Sequence, residues 1–168
     1  MNQNKPQQSA PETSAASAWL SVVRTYQCCT RQYERMLAEL GLTIAQFDVL
    51  VSIRRLGPEA LPKHIADAML VTRSNVTPVL QRLRQRGLVE LTSHPEDGRA
   101  RIAHLTEQGM SCLNQAMPAA KRFVTAQMQP FSQADLAETQ RLMAAMHQHL
   151  LTLDPVVISH GPDGEPTS

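Results

Sequence analysis

Apolar residues recur with the helical period over most of this chain and alternate with a period of two only between about Leu88 and Leu105. The pattern predicts a mainly α fold with a small two- or three-stranded β ribbon. The first helical stripe runs from Ala15 to Leu40 through Trp19, Val22, Val23, Tyr26, Tyr33, Met36, Leu37 and Leu40, and Gly41 ends it. Thr43 caps a second helix whose apolar face is Ile44, Phe47, Leu50 and Val51, closed by Gly57 and Pro58. A compact third helix, Leu61 to Leu70, places Ile65, Ala68 and Met69 on one side. Beyond the ribbon, Thr106 caps a helix that runs to about Met128 before Pro130 breaks it. Ser132, with Asp135 three residues on, then opens a last helix to about Leu153 in a pattern close to a capping box. Residues 1–14 and 154–168 are polar and read as disordered tails.

Between the third helix and the ribbon lies VTRSNVTPVLQRLRQRG, residues 71–87, on which the rest of the pattern turns. Thr72 is a good N-cap, its hydroxyl suited to accept from an orphan backbone N–H, and Gly87 supplies the left-handed stop. Val76, Val79, Leu80 and Leu83 form one apolar stripe. The opposite face is left to Arg73, Ser74, Asn75, Thr77, Gln81, Arg82 and Arg84, heads suited to base edges and phosphates, with no Asp or Glu among them. Pro78 removes one intrahelical hydrogen bond and is a source of bending. A basic outer face alone marks a solvated helix as often as a DNA reader, so its neighbours decide. Only Val71 and Thr72 separate it from the helix before, the tight joint of a helix-turn-helix. Immediately after it, Leu88 to Thr92 and Arg101 to Leu105 alternate as two strands joined by SHPEDGRA, a wing carrying His94, Arg99 and Arg101.

Composition adds an uneven charge to this picture. The 168 residues carry a net charge of only +1, but nine Lys/Arg stand against five Asp/Glu between Arg54 and Leu105, so a near-neutral total conceals a basic middle. A hydrophobic content of 42% is enough for one helical domain over 15–153. No apolar run is long enough to span a membrane and no signal core is present, so a cytoplasmic protein is expected. The histidines lack zinc-ligand spacing, and no phosphate loop, nucleophile elbow or paired carboxylates suggest an enzyme; neither metal nor cofactor is expected.

From about Leu42 to Gly109 the chain resembles the MarR family of winged-helix transcription regulators. The resemblance rests on LTIAQFDVL at 42–50, VTRSNVTPVLQRLRQRGLVE at 71–90 and DGRARIAHLTEQG at 97–109, although Gly98 stands where many members carry a second Arg. It implies a winged helix-turn-helix reading domain, 42–105, between dimerisation helices, 15–40 and 106–153. The implied activity is that of a homodimeric repressor on a pseudopalindromic double-stranded DNA operator. Ser74, Asn75, Thr77 and Gln81 are then expected to contact bases, Asn75 with an amide suited to adenine, and Arg73 and Arg82 bases or phosphates. Arg99 is expected in the minor groove with Asp97 orienting its guanidinium, and Lys63, Thr72, His94 and Arg101 complete the expected DNA-contacting set.

The same resemblance implies release by a small aromatic or phenolic effector, lined here by Trp19, Val23, Tyr26, Tyr33 and Phe47. Aromatics at helical spacing are also ordinary core. Some relatives sense peroxide through a cysteine, which makes Cys28 or Cys29 an alternative signal site. These neighbours on one helix point too far apart to bridge each other, and with Cys112 they read first as small buried hydrophobes. A winged helix that binds protein instead of DNA is a further alternative, separable by salt titration of duplex binding.

Overall fold

A computed structural model describes residues 14–97 and 100–154; the remainder of both expected tails, and Gly98 and Arg99 in the wing, lie outside the described residues. Six α-helices and one β-hairpin follow in the order α1 (Ala15–Ala38), α2 (Ile44–Leu56), α3 (Pro62–Met69), α4 (Arg73–Gln85), β1 (Val89–Ser93), β2 (Arg101–Leu105), α5 (Glu107–Met128) and α6 (Gln133–Leu150). The described residues fall into two compact units that divide between Phe123 and Val124.

In the first unit, three helix ends share one hydrogen-bonded form. After α1, Gly41 N–H donates to Ala38 O and Leu42 N–H to Leu37 O. After α4, Gly87 N–H donates to Arg84 O and Leu88 N–H to Leu83 O. Each is a Schellman stop with a glycine at positive φ, and each buries the apolar pair that closes it, Leu37 with Leu42 and Leu83 with Leu88. The end of α3 has the same bonds, Leu70 N–H to Asp67 O and Val71 N–H to Ala66 O, but Leu70 takes the left-handed position at φ 55°. This stop ends α3 one residue before the expected Leu70, so three residues, Leu70 to Thr72, make the short turn of the helix-turn-helix where two were expected.

Behind α4 the predicted stripe is realised: Val76, Leu80 and Leu83 are buried and Val79 is half-buried. They meet Val49, Leu50 and Ile53 of α2, Ile65 and Ala66 of α3, Val89 and Ala103 of the hairpin, and Leu113, Ala116 and Ala120 of α5 in one core. On α3 the buried partner of Ile65 is Ala66, whereas Ala68 is half-buried, a correction to the expected face. The helix runs through Pro78 without interruption, as α5 does through Pro118. A proline near the start of α4 costs one backbone bond without ending the helix.

The hairpin is antiparallel, in register from Val89 opposite Leu105 to Ser93 opposite Arg101, and Ala103 N–H also donates to Ala60 O on the other side of β2. Thr106 ties the hairpin's exit to the end of α4: its Oγ1 donates to Gly87 O at 2.6 Å and accepts from Gly109 N–H at 2.9 Å, capping α5. In the second unit Ser132 and Asp135 form the expected capping box of α6, which contains no buried residue. Of the cysteines, Cys112 packs against the core, Cys29 is half-buried and Cys28 is exposed, against the expectation that all three are buried. Among the described residues no helix is long and apolar enough to cross a membrane.

Candidate nucleic-acid interface

With one side of α4 fixed to the core, Arg73, Ser74, Asn75, Thr77, Gln81, Arg82 and Arg84 are all exposed on the other. Their placement follows from the stripe: burying 76, 80 and 83 forces the intervening positions outward. Thr72 stands at the N-cap, but its side chain makes no cap bond to the helix backbone, which corrects the expected role. Its hydroxyl instead donates to Asn75 Oδ1 at 3.1 Å and lies 2.7 Å from Ser74 Oγ. A hydroxyl followed by two more polar side chains has competing partners, and here the side chains win over the backbone. Thr77 Oγ1 donates back to Arg73 O at 3.1 Å. At the far end of α4, Arg86 Nη1 donates to Gln46 Oε1 at 3.1 Å, and that same oxygen accepts from Thr43 N–H in the capping box of α2. The end of α4 is thereby anchored to the start of α2, by a residue the sequence pattern does not single out.

The wing is organised by His94. Its Nδ1 accepts from Glu96 N–H and Asp97 N–H at 3.2 and 3.3 Å, while Ala100 N–H donates to Asp97 O at 2.9 Å. An Nδ1 that accepts twice leaves Nε2 as the protonated nitrogen. Arg101 Nη1 donates to Ser93 Oγ across the strands. Lys63 is exposed in the first turn of α3. Arg99, and with it the expected pairing to Asp97, lies outside the described residues.

Of the residues expected to line an effector site, Tyr33 and Phe47 are brought together, edge to face with ring centroids 6.1 Å apart. Phe123 of α5, not anticipated, also packs on Tyr33, with ring centroids 5.1 Å apart and the rings tilted by 38°. Val23 is half-buried; Trp19 and Tyr26 are 55% and 70% exposed within the chain and join no ring cluster among the described residues. Asp48 is the second residue missed. It lies four residues after Ile44 on the inner side of α2, and burial pushes its carboxyl up from the usual range. Burial likewise pushes the Tyr33 phenol up, with smaller contributions from Asp48 and Cys29. A carboxylate at a stripe position is the signal that could have found Asp48.

A helix-turn-helix whose second helix is exposed along one polar, basic face, followed at once by a tied hairpin, defines the winged-helix class. The MarR family matches residues 40–100. Over these residues the chain carries a MarR-family domain, that of a winged-helix transcriptional regulator. It is 29% identical over 141 residues to an HTH-type transcriptional regulator of Bacillus cereus, covering 82% of this chain and 91% of the relative. It is 31% identical over 99 residues to the HTH-type transcriptional repressor NicR of Pseudomonas putida, covering 59% of this chain and 62% of that protein. The fold is similar to that of Bordetella bronchiseptica BpsR, whose DNA binding is regulated by 6-hydroxynicotinic acid. The TM-score there is 0.72 with 22% identity, over 82% of this chain and 98% of that one.

Proposed function

We propose that this regulator is a cytoplasmic homodimeric repressor released from its operator by a small aromatic or phenolic ligand. In this reading, α4 of each copy enters the major groove of one half-site of a pseudopalindromic operator. The exposed face of α4, rigidly backed by Val76, Leu80 and Leu83, is the observation that carries it. Ser74, Asn75, Thr77 and Gln81 reach base edges, Arg73 and Arg82 reach bases or phosphates, and Lys63 and Arg101 add cationic contacts. Arg99 reads the minor groove from the wing that His94 and Asp97 shape. The domain organisation follows: 42–105 read DNA, while α1, α5 and α6 hold the two copies together, covering Trp19 and Tyr26.

The repressor sense is supported by the likeness to NicR, and the ligand class by that to BpsR. Tyr33, Phe47 and Phe123 offer flat apolar surface to such a ligand. Asp48 beside them favours one that presents a phenol or ring N–H donor over a bare carboxylate.

Selection from a random duplex library followed by mobility-shift titration tests the proposal. An inverted repeat with half-site centres about one helical turn, ~34–36 Å, apart is expected. Affinity should fall steeply, on the order of 10³-fold or more, between about 50 and 200 mM salt, as for several phosphate contacts. Failure to enrich any sequence would sink the DNA-reading role. If no phenol or hydroxylated aromatic acid shifts the mobility curve, the effector part fails alone.

A further inference from the structure

Three side chains at the start of α4 are joined head to tail. Thr72 Oγ1 donates to Asn75 Oδ1 at 3.1 Å and lies 2.7 Å from Ser74 Oγ. A threonine hydroxyl carries one proton. With that proton committed to Asn75, the contact to Ser74 requires Ser74 to donate. Each end of the relay therefore has a fixed polarity. Ser74 Oγ, its proton turned toward Thr72, offers lone pairs to the surroundings. Asn75, its carbonyl held by Thr72, keeps both NH2 protons for donation and only the second lone pair of that carbonyl for acceptance. All three residues are exposed, on the face of α4 assigned to base reading.

We propose that Thr72 is a positioning residue that sets the base preference of the reading helix. Through it Ser74 acts as an acceptor for the exocyclic N–H of cytosine or adenine, and Asn75 as a donor to purine N7, guanine O6 or thymine O4. The proposal deepens the DNA-reading role above and rests on it. It also changes what Asn75 is expected to select. An unrestrained Asn pairs bidentately with adenine, using its carbonyl and its amide together; an amide whose carbonyl is already engaged favours acceptor edges. Thr72 acts here without touching a base, since losing its hydroxyl would free both neighbours to rotate.

The test is base preference measured by selection from a random duplex library. It uses the full chain as wild type, Thr72→Ser, Thr72→Val, Thr72→Ala and Asn75→Ala, with thermal unfolding as the check on folding. Thr72→Ser keeps the hydroxyl and should keep the wild-type preference. Thr72→Val and Thr72→Ala should relax discrimination about 3- to 10-fold at the positions under the first turn of α4, and raise adenine at the Asn75 position. Thr72 is exposed and forms no backbone cap, so both variants should unfold near the wild-type temperature. An unchanged preference in either folded variant, while Asn75→Ala alters it, overturns the relay and leaves the DNA-reading role standing. If the wild type enriches no sequence, both fall together.

Discussion

Gly109 shows how much one missing side chain can decide. A Cβ at this position would lie 1.9 Å from the carbonyl oxygen of Leu88 and 2.9 Å from its carbon. The obstacle is backbone, so Gly109→Ala must displace either the start of α5 or the link from α4 to β1. A loss of about 1–3 kcal/mol or more is expected, as for overpacking, measurable by denaturant unfolding. The opposite result is expected at Leu70. It occupies the left-handed position of a Schellman stop that glycine fills in the two others, and it is 82% exposed, so it has little packing to lose. A left-handed conformation costs a non-glycine residue about 1–2 kcal/mol. After the extra chain entropy of glycine, Leu70→Gly should stabilise by about 0.5–1 kcal/mol; an unchanged or lowered unfolding midpoint would show that Leu70 makes a compensating contact. Neither position is explained by its sequence alone. Gly109 belongs to a motif whose reason is a contact 21 positions back in the chain, and a leucine carries no signal of positive φ.

At the level of elements, the stops and caps at Gly41, Thr43, Gly87, Thr106 and Ser132 were legible because each depends on residues within a few positions of one another. Thr72 was not, because its hydroxyl chooses among several near neighbours and only the side-chain geometry ranks them. The aromatic cluster of Tyr33, Phe47 and Phe123 was legible by half for a related reason. Helical spacing puts Tyr33 on the side of α1 that meets Phe47, but it does not say that Phe123, 90 residues away, closes the cluster. Asp48 gives this region a pH signature. Its carboxyl is raised by burial, so its stabilising protonated state is present at low pH and lost as pH rises through the folded-state value. Asp48→Asn, neutral at every pH, should therefore be more stable than wild type at pH 7, with the gain shrinking toward pH 4. Unfolding midpoints measured across that range check it; a gain independent of pH would point to packing in place of charge.

For the whole molecule, the core joins α1, α2, α3, α4, the hairpin and the first half of α5 without a break, and Arg86 and Thr106 tie both ends of this frame to α4. Changes at α2 or α5 therefore bear directly on where α4, the proposed reading helix, sits. The apolar stripes of the chain ends told less, since a stripe announces a covered face without naming what covers it. In α6, Met143 and Leu150 lie seven residues apart on one face and are 40% and 52% exposed, and no residue of this helix is buried. A monomeric protein has little reason to present such a face. If a second copy covers it, the double variant Met143→Glu, Leu150→Glu must bury unpaired carboxylates at the interface, each costing several kcal/mol. Light scattering should then report a monomer, and affinity for a two-half-site duplex should fall toward that for a single half-site, while helical content stays near wild type. A variant that remains dimeric and binds the full site as tightly as wild type would place the dimer contact elsewhere, on α1 or the end of α5.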